Sequence, residues 1–297
     1  MVNDRVTGYP QIAEFMVLRL IPVRLLPLNF PAGLASFASG KPKTEQRVMY
    51  NFDWHKSHGD KTSSSAAIIV ELLSRTFEIN SVLDIGCGDG RWLRSFQDRG
   101  ASLVRGVDGP WTDQTRLLIE KSDFAVHNLE KPLDLARKFD LAMSTEVAEH
   151  VDRAFADQFV ANLTQHADLV FFGAAIPYQG GFRHVNEQWP SYWAEKFAAA
   201  GFGCFDLVRA LTWDRDDVFF WYKQNCLVYI RESRPDLIAQ IQASIAKIGA
   251  PPLPMDIVHP ELYQSLASYR QIAFKPLLRE LPIQVMRKAK AILTRNT

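Results

Sequence analysis

Between residues 64 and 230, apolar runs of strand length alternate with segments whose apolar positions recur at helical spacing. That is the pattern of a doubly wound α/β sheet with helices on both faces, a Rossmann-like fold. Ala66, Ile69, Leu73 and Phe77 share one helical face and predict a helix over 65–77. A short apolar strand, 81–85, runs into a glycine-rich turn, and Trp92, Leu93 and Phe96 mark a second helix that Gly100 closes. Further strands are predicted at 103–108, 124–129, 139–145 and 168–177, the last apolar enough to lie centrally. A helix over 154–165 precedes that strand. Pro190 opens another helix, carrying Tyr192, Trp193, Phe197 and Ala200 and ending at Gly201. Two long strand-like runs, 203–213 and 218–230, are separated only by the charged turn 214–217, which predicts an antiparallel hairpin at the sheet edge.

The flanks read differently. Residues 1–61 form an N-terminal extension, 62–231 one domain and 232–297 a helical C-terminal extension. Ile238, Ile241, Ile245 and Ile248 lie at helical spacing before Gly249 and a proline cluster. From Pro260 the chain reads as helical with a break at Pro282. It ends in a basic amphipathic segment, where Arg287, Lys288, Lys290 and Arg295 alternate with Val285, Met286, Ile292 and Leu293. Such a tail can sit on anionic lipid, although a packed helix with a solvated face is the commoner outcome. The stretch 12–37 is rich in Leu, Val and Phe, but Arg19, Arg24, Pro22, Pro27 and Pro31 interrupt it. No spanning helix or export signal is read there. It is expected to pack on its own domain or, in a homo-oligomer, on a second subunit, with a membrane surface as the other outlet.

Charge narrows the partners. Thirty-four Lys and Arg against 33 Asp and Glu leave no basic excess to recommend nucleic acid. The three cysteines, Cys87, Cys204 and Cys226, are odd in number and far apart, so they suggest neither a disulfide framework nor a metal site. That usage suits a reducing cytoplasm, with contact at most peripheral to the inner face of a membrane.

The chemistry is concentrated in Val82-Leu-Asp-Ile-Gly-Cys-Gly-Asp-Gly-Arg91. A strand running into Gly86, Gly88 and Gly90 lets the backbone turn tightly and approach a ligand. Dinucleotide sites use a related turn, but here an acid, Asp84, stands on the strand just before it. A carboxylate there would repel a pyrophosphate and attract the ammonium of an amino acid, which favours S-adenosylmethionine (SAM) over NAD. Asp108 ends the second strand, where one carboxylate can accept both hydroxyls of a ribose. At the end of the third strand, Asn128 could bond an adenine edge while Leu129 packs on its face. Ser144, Thr145 and Glu146 reach the carboxyl end of the sheet, where ligands of such folds bind.

Over 81–230 the sequence resembles the class I SAM-dependent methyltransferase superfamily, and Phe139-Asp-Leu-Ala-Met-Ser-Thr-Glu-Val-Ala-Glu-His-Val151 resembles the fourth motif of its small-molecule and sugar members. The resemblance implies a seven-stranded sheet with only the last strand antiparallel. It also implies that Asp84, Gly86, Gly88, Asp108 and Asn128 hold SAM, with S-adenosylhomocysteine as product; Cys87, Gly90, Leu129, Thr145 and Glu146 are assigned to the same site. The family more often carries Asp where this chain has Asn128.

For an acceptor, three histidines stand out, because a general base needs a pKa close to working pH. His184 lies in Gln179-Gly-Gly-Phe-Arg-His-Val-Asn-Glu-Gln-Trp-Pro-Ser-Tyr-Trp193, a loop that gathers Asn186, Glu187, Trp189 and Tyr192 as sugar-binding groups. His150 follows Glu149 and serves either as base or as a brace of the SAM pocket. His58 precedes the core, where family members often place a lid. Gln224 and Asn225, read at the start of the last strand, contact the acceptor or satisfy buried backbone. Asp214, Asp216 and Asp217 read as a charged turn rather than a cation site, and no metal ligands are assigned. The expected activity is O-methylation of a sugar hydroxyl in a glycan or glycolipid. Methylation of another small metabolite at N or O is the alternative, and a non-catalytic SAM-fold scaffold is the reading from a different class.

Overall fold

The computed structural model describes residues 52–249 and 252–271. The stretch 12–37 and the basic tail beyond residue 271 lie outside the described residues. Seven strands, β1 (Ser81–Ile85), β2 (Leu103–Asp108), β3 (Phe124–Val126), β4 (Leu141–Thr145), β5 (Leu169–Gly173), β6 (Phe202–Phe205) and β7 (Leu227–Arg231), form one sheet in the order 3-2-1-4-5-7-6. All pairs are parallel except those made by β7, which runs antiparallel to both β5 and β6. The helices are α1 (Phe52–Thr76), α2 (Arg91–Asp98), α3 (Ala156–Thr164), α4 (Pro190–Ala199), α5 (Val208–Thr212), α6 (Phe220–Asn225), α7 (Pro235–Ile248) and α8 (Pro260–Gln271). None of them is long and apolar enough to cross a membrane.

The central strands are apolar on both faces because helices cover both. Alternate residues along a strand point to opposite sides. Val82, Leu141, Met143, Phe171 and Val228 accordingly join one core with α1 and α2, while Leu83, Ala142, Phe172 and Tyr229 join the other with α3 and α4. In the second core Phe197 stacks on Tyr229 with centroids 3.9 Å apart.

Two sequence expectations change. The tight hairpin of 203–213 and 218–230 is replaced by short strands with α5 and α6 between them, although β6 and β7 do pair antiparallel. The aromatic and β-branched residues of that segment favour a strand intrinsically, but packing overrides them. Tyr222 sits edge-on to Trp92 at 5.2 Å, and Arg209 reaches from α5 to the carboxylate of Asp206 and the carbonyls of Pro254 and Met255. Gln224 and Asn225 therefore close a helix instead of opening a strand. The second change is the start of α1, which begins at Phe52 and runs across the expected 61/62 boundary; His58 falls within it.

What positions the site is the reversal of strand order between β1 and β4, where connections leave to opposite sides and open a crevice. The glycine turn follows β1 and residues 146–150 follow β4, so the two loops meet there. Gly86, at φ +86°, leaves room for Val147: a Cβ on Gly86 would lie 2.4 Å from Val147 Cγ2. Gly86→Ala combines left-handed backbone strain, about 1–2 kcal/mol, with overpacking of about 1–3 kcal/mol. A stability loss of about 2–4 kcal/mol is expected in urea unfolding. Adding Val147→Ala should restore the overpacking part; no recovery would show that Val147 is not what the turn accommodates.

Candidate active site

On the cofactor side, Gly88 N–H donates to Asp108 Oδ2 at 2.7 Å and Gly109 N–H to Oδ1 at 2.6 Å. The acid that ends β2 is thereby held against the turn that follows β1. Asp84 is 2% exposed, and its carboxyl is pushed well above its ordinary range, first by burial and then by the charges of Asp108 and Asp89. Burial likewise raises Asp108, partly offset by the Gly109 and Gly88 amides. Two acids forced together beside the glycine turn make a site that a cationic ligand would relieve. SAM carries both an ammonium and a sulfonium, so the residues present fit it: Asp84 would take the ammonium and Asp108 the ribose hydroxyls. Leu129 is buried, whereas Asn128 is exposed and accepts from Glu130 N–H. Cys87 is buried against Gly106 in the core, so it can offer a ligand only its backbone.

On the acceptor side, the chain turns after β4 through Glu146, itself at φ +56°, into a 3-10 turn, Ala148–His150. The 178–189 loop is pinned to that turn, because Val185 and Asn186 N–H both donate to Glu149 O, at 2.8 and 3.0 Å. This brings His184 to His150, with ring centroids 4.8 Å apart. His184 Nδ1 bonds Glu187 Oε1 at 2.9 Å, and the same carboxylate accepts from Tyr178 and Gly180 N–H. The imidazole lies over Gly181, where a Cβ would stand 2.1 Å from Nε2. Nε2 is 3.9 Å from Oε1 of Glu149. Burial, and then the neighbouring His184, lower the pKa of His150 and favour its neutral form. The charge of Asp108 acts on His150 in the opposite sense.

The sequence matches the family described as methyltransferase domain over residues 49–213, more than half of the chain. The chain belongs to this family of class I SAM-dependent methyltransferases. No curated protein shows significant similarity to the sequence. Among solved structures, the sugar N-methyltransferase of a Streptoalloteichus species aligns with a TM-score of 0.50 at 14% identity, over 66% of this chain and 99% of its own. The magnesium protoporphyrin IX methyltransferase of a Synechocystis strain, solved with S-adenosylhomocysteine bound, aligns with a TM-score of 0.46 at 16% identity, over 62% and 89%. At such identity the first of these likenesses bears on the fold alone.

The methyltransferase places its other candidate residues unevenly. Trp189 is partly exposed, whereas Asn186 is buried and its Oδ1 accepts from Gln188. Tyr192 is occupied on α4 by Arg153, Lys196 and Trp193. Thr145 ends β4, half-buried. Gln224 and Asn225 are buried in an amide network: Asn225 Nδ2 donates to Glu146 Oε1 at 2.8 Å, Gln179 Nε2 to Glu146 Oε2 at 2.7 Å, and Gln224 Nε2 to Asn225 Oδ1 at 2.9 Å. Gln224 Oε1 accepts from His259 N–H, and Lys223 pairs with Glu261 on α8, so residues 252–271 dock against this network. Sequence reasoning missed Gln179, Glu149 and Trp111. Trp111 is 71% exposed and folds onto Gly109 beside Asp108. An exposed tryptophan three residues after the strand-end acid was its only signal.

Burial pushes the carboxyl of Glu146 up from 4.5 to about 7, against the Asn225 and Gln179 bonds that favour its charged form. Between those values the native state holds a proton that the unfolded chain has released, so stability falls as pH rises from about 4.5 to 7. Glu146→Gln should therefore melt with the wild type near pH 4.5. Above about pH 7 it should be the more stable, by at most about 3 kcal/mol at 1.36 kcal/mol per unit. A difference that does not change between the two pH values would show that titration of Glu146 is not its cause.

Proposed function

We propose that this methyltransferase methylates a sugar hydroxyl of a glycan or glycolipid. The observation that carries the reading is His184, oriented by Glu187 through Nδ1, with Nε2 turned toward Glu149 and its ring against His150. A hydroxyl is a poor nucleophile until its proton is removed, and a neutral imidazole held in one tautomer is suited to remove it. When bound, SAM supplies an electrophilic methyl group on a sulfonium. His184 Nε2 takes the hydroxyl proton, and Glu187 stabilises the resulting imidazolium. Exposed Tyr178 and Trp189 supply aromatic faces of the kind a sugar ring uses.

The test is transfer from methyl-labelled SAM to a panel of neutral sugars, lipid-linked glycans and their amino-sugar counterparts, with the product position read by NMR. A methyl ether is the expected product. Methylation confined to amines would favour the metabolite N-methyltransferase reading. Tight SAM binding with no transfer to any acceptor in cell extracts would favour a scaffold.

A further inference from the structure

Glu149, His150 and His184 present one ligand atom each within 4.8 Å of one another. Atoms that share one ion at about 2.1 Å stand about 3–4 Å apart, so closing this set asks each side chain to move by about an ångström. The two histidines are already turned to offer a lone pair. His150 Nδ1 faces the carbonyl oxygen of Arg183 at 3.3 Å, which can only accept; that puts the proton on Nδ1 and leaves Nε2 open. His184 Nδ1 is likewise committed to Glu187, itself fixed by two backbone amides, as metal-bound histidines usually are to a carboxylate. The second observation is independent of the histidines. Glu149 is 1% exposed, and its Oε2 has no hydrogen-bond partner. A buried carboxylate oxygen without a partner is costly, and a cation is one way to relieve it.

We propose that Glu149, His150 and His184 form a site for one divalent first-row transition metal where the 178–189 loop meets the turn after β4. Two imidazoles and one carboxylate suit Mn²⁺, Fe²⁺, Co²⁺ or Zn²⁺ better than Mg²⁺ or Ca²⁺, which prefer oxygen. Glu146 is close enough to act electrostatically on Glu149, but Asn225 and Gln179 engage both its oxygens, so it adds charge rather than a bond. His150, part-desolvated but the most exposed of the three, leaves the outer coordination positions to water or substrate. The role of the site rests on the O-methylation reading: a metal here would hold and polarise an acceptor hydroxyl, lowering its pKa. With the ion bound, His184 Nε2 would be a ligand, so its role as base belongs to the metal-free site.

The experiment uses the full chain, stripped with chelator and titrated with Co²⁺, followed by its visible ligand-field bands. Saturable binding of a single equivalent is expected, lost in His184→Ala and Glu149→Gln. Glu187→Gln, which loosens the histidine's orientation together with the Tyr178 and Gly180 amides, should bind about 10–100-fold more weakly. S-adenosylhomocysteine titrated into the same samples checks that each variant is folded. No saturable Co²⁺ binding by the wild type, or binding that folded His184→Ala retains, would overturn the site. Co²⁺ binding without any O-methylated product would leave the site standing and defeat the acceptor reading instead.

Discussion

His184→Ala is expected to lower kcat for a hydroxyl acceptor about 10²–10⁴-fold, the usual contribution of a positioned acid–base group. S-adenosylhomocysteine affinity should be unchanged. The expectation follows from how the side chain is held. Its Nδ1 is bonded to Glu187, its ring lies over Gly181, and the loop that carries it is tied through Val185 and Asn186 to Glu149 O. Little of that bracing belongs to the cofactor turn, so the loss should fall on turnover rather than on SAM binding. Two readouts separate a proton-handling role from a structural one. Added imidazole should restore part of the rate to His184→Gly. An amine acceptor, nucleophilic when neutral, should lose little rate in either variant. If amine and hydroxyl acceptors lose rate equally, His184 acts by shaping the pocket and its assignment as base fails.

Asp108→Ala is expected to weaken S-adenosylhomocysteine binding about 10²–10³-fold, about 3–4 kcal/mol. Hydrogen bonds to a charged acceptor contribute about 1.5–3 kcal/mol each, and this carboxylate has the capacity for two from a ribose. The same side chain satisfies the Gly88 and Gly109 amides, so its removal also frees the turn that must approach the ligand. Asp108→Asn keeps the shape but turns an NH₂ group toward one of those amides, so it should fall between the wild type and alanine. Calorimetry with S-adenosylhomocysteine, with NAD as control, measures both. Full affinity in Asp108→Ala would remove this carboxylate from the cofactor site, and preference for NAD in the wild type would contradict the argument from Asp84.

Much of the scaffold was legible because it is written locally. The Ser81–Ile85 and Leu103–Asp108 strands, the turn of Gly86, Gly88 and Gly90, and the 14-residue helix closed by Gly249 each depend on residues adjacent in the chain. The segment 206–225 was not legible for the opposite reason. Val218, Phe219, Phe220, Trp221 and Tyr222 have the composition of a strand, yet burial of Tyr222 against Trp92 and of Lys223 against Arg215 O and Glu261 makes the helix the better-packed state.

The site divides in the same way. Sequence alone determined the framework of the candidate cofactor half: an acid on β1, glycines after it and an acid ending β2, at positions that the local strand–turn geometry places. Only the tertiary structure decided the acceptor half. Glu149 and His150 meet His184 across more than thirty residues, because Val185 and Asn186 bond back to Glu149 O. Gln179 of the 178–189 loop and Asn225 of one further segment, itself bonded by Gln224, converge on Glu146. Such constellations leave no periodic trace in a sequence, since they depend on hydrogen bonds between distant segments rather than on the order of neighbouring residues.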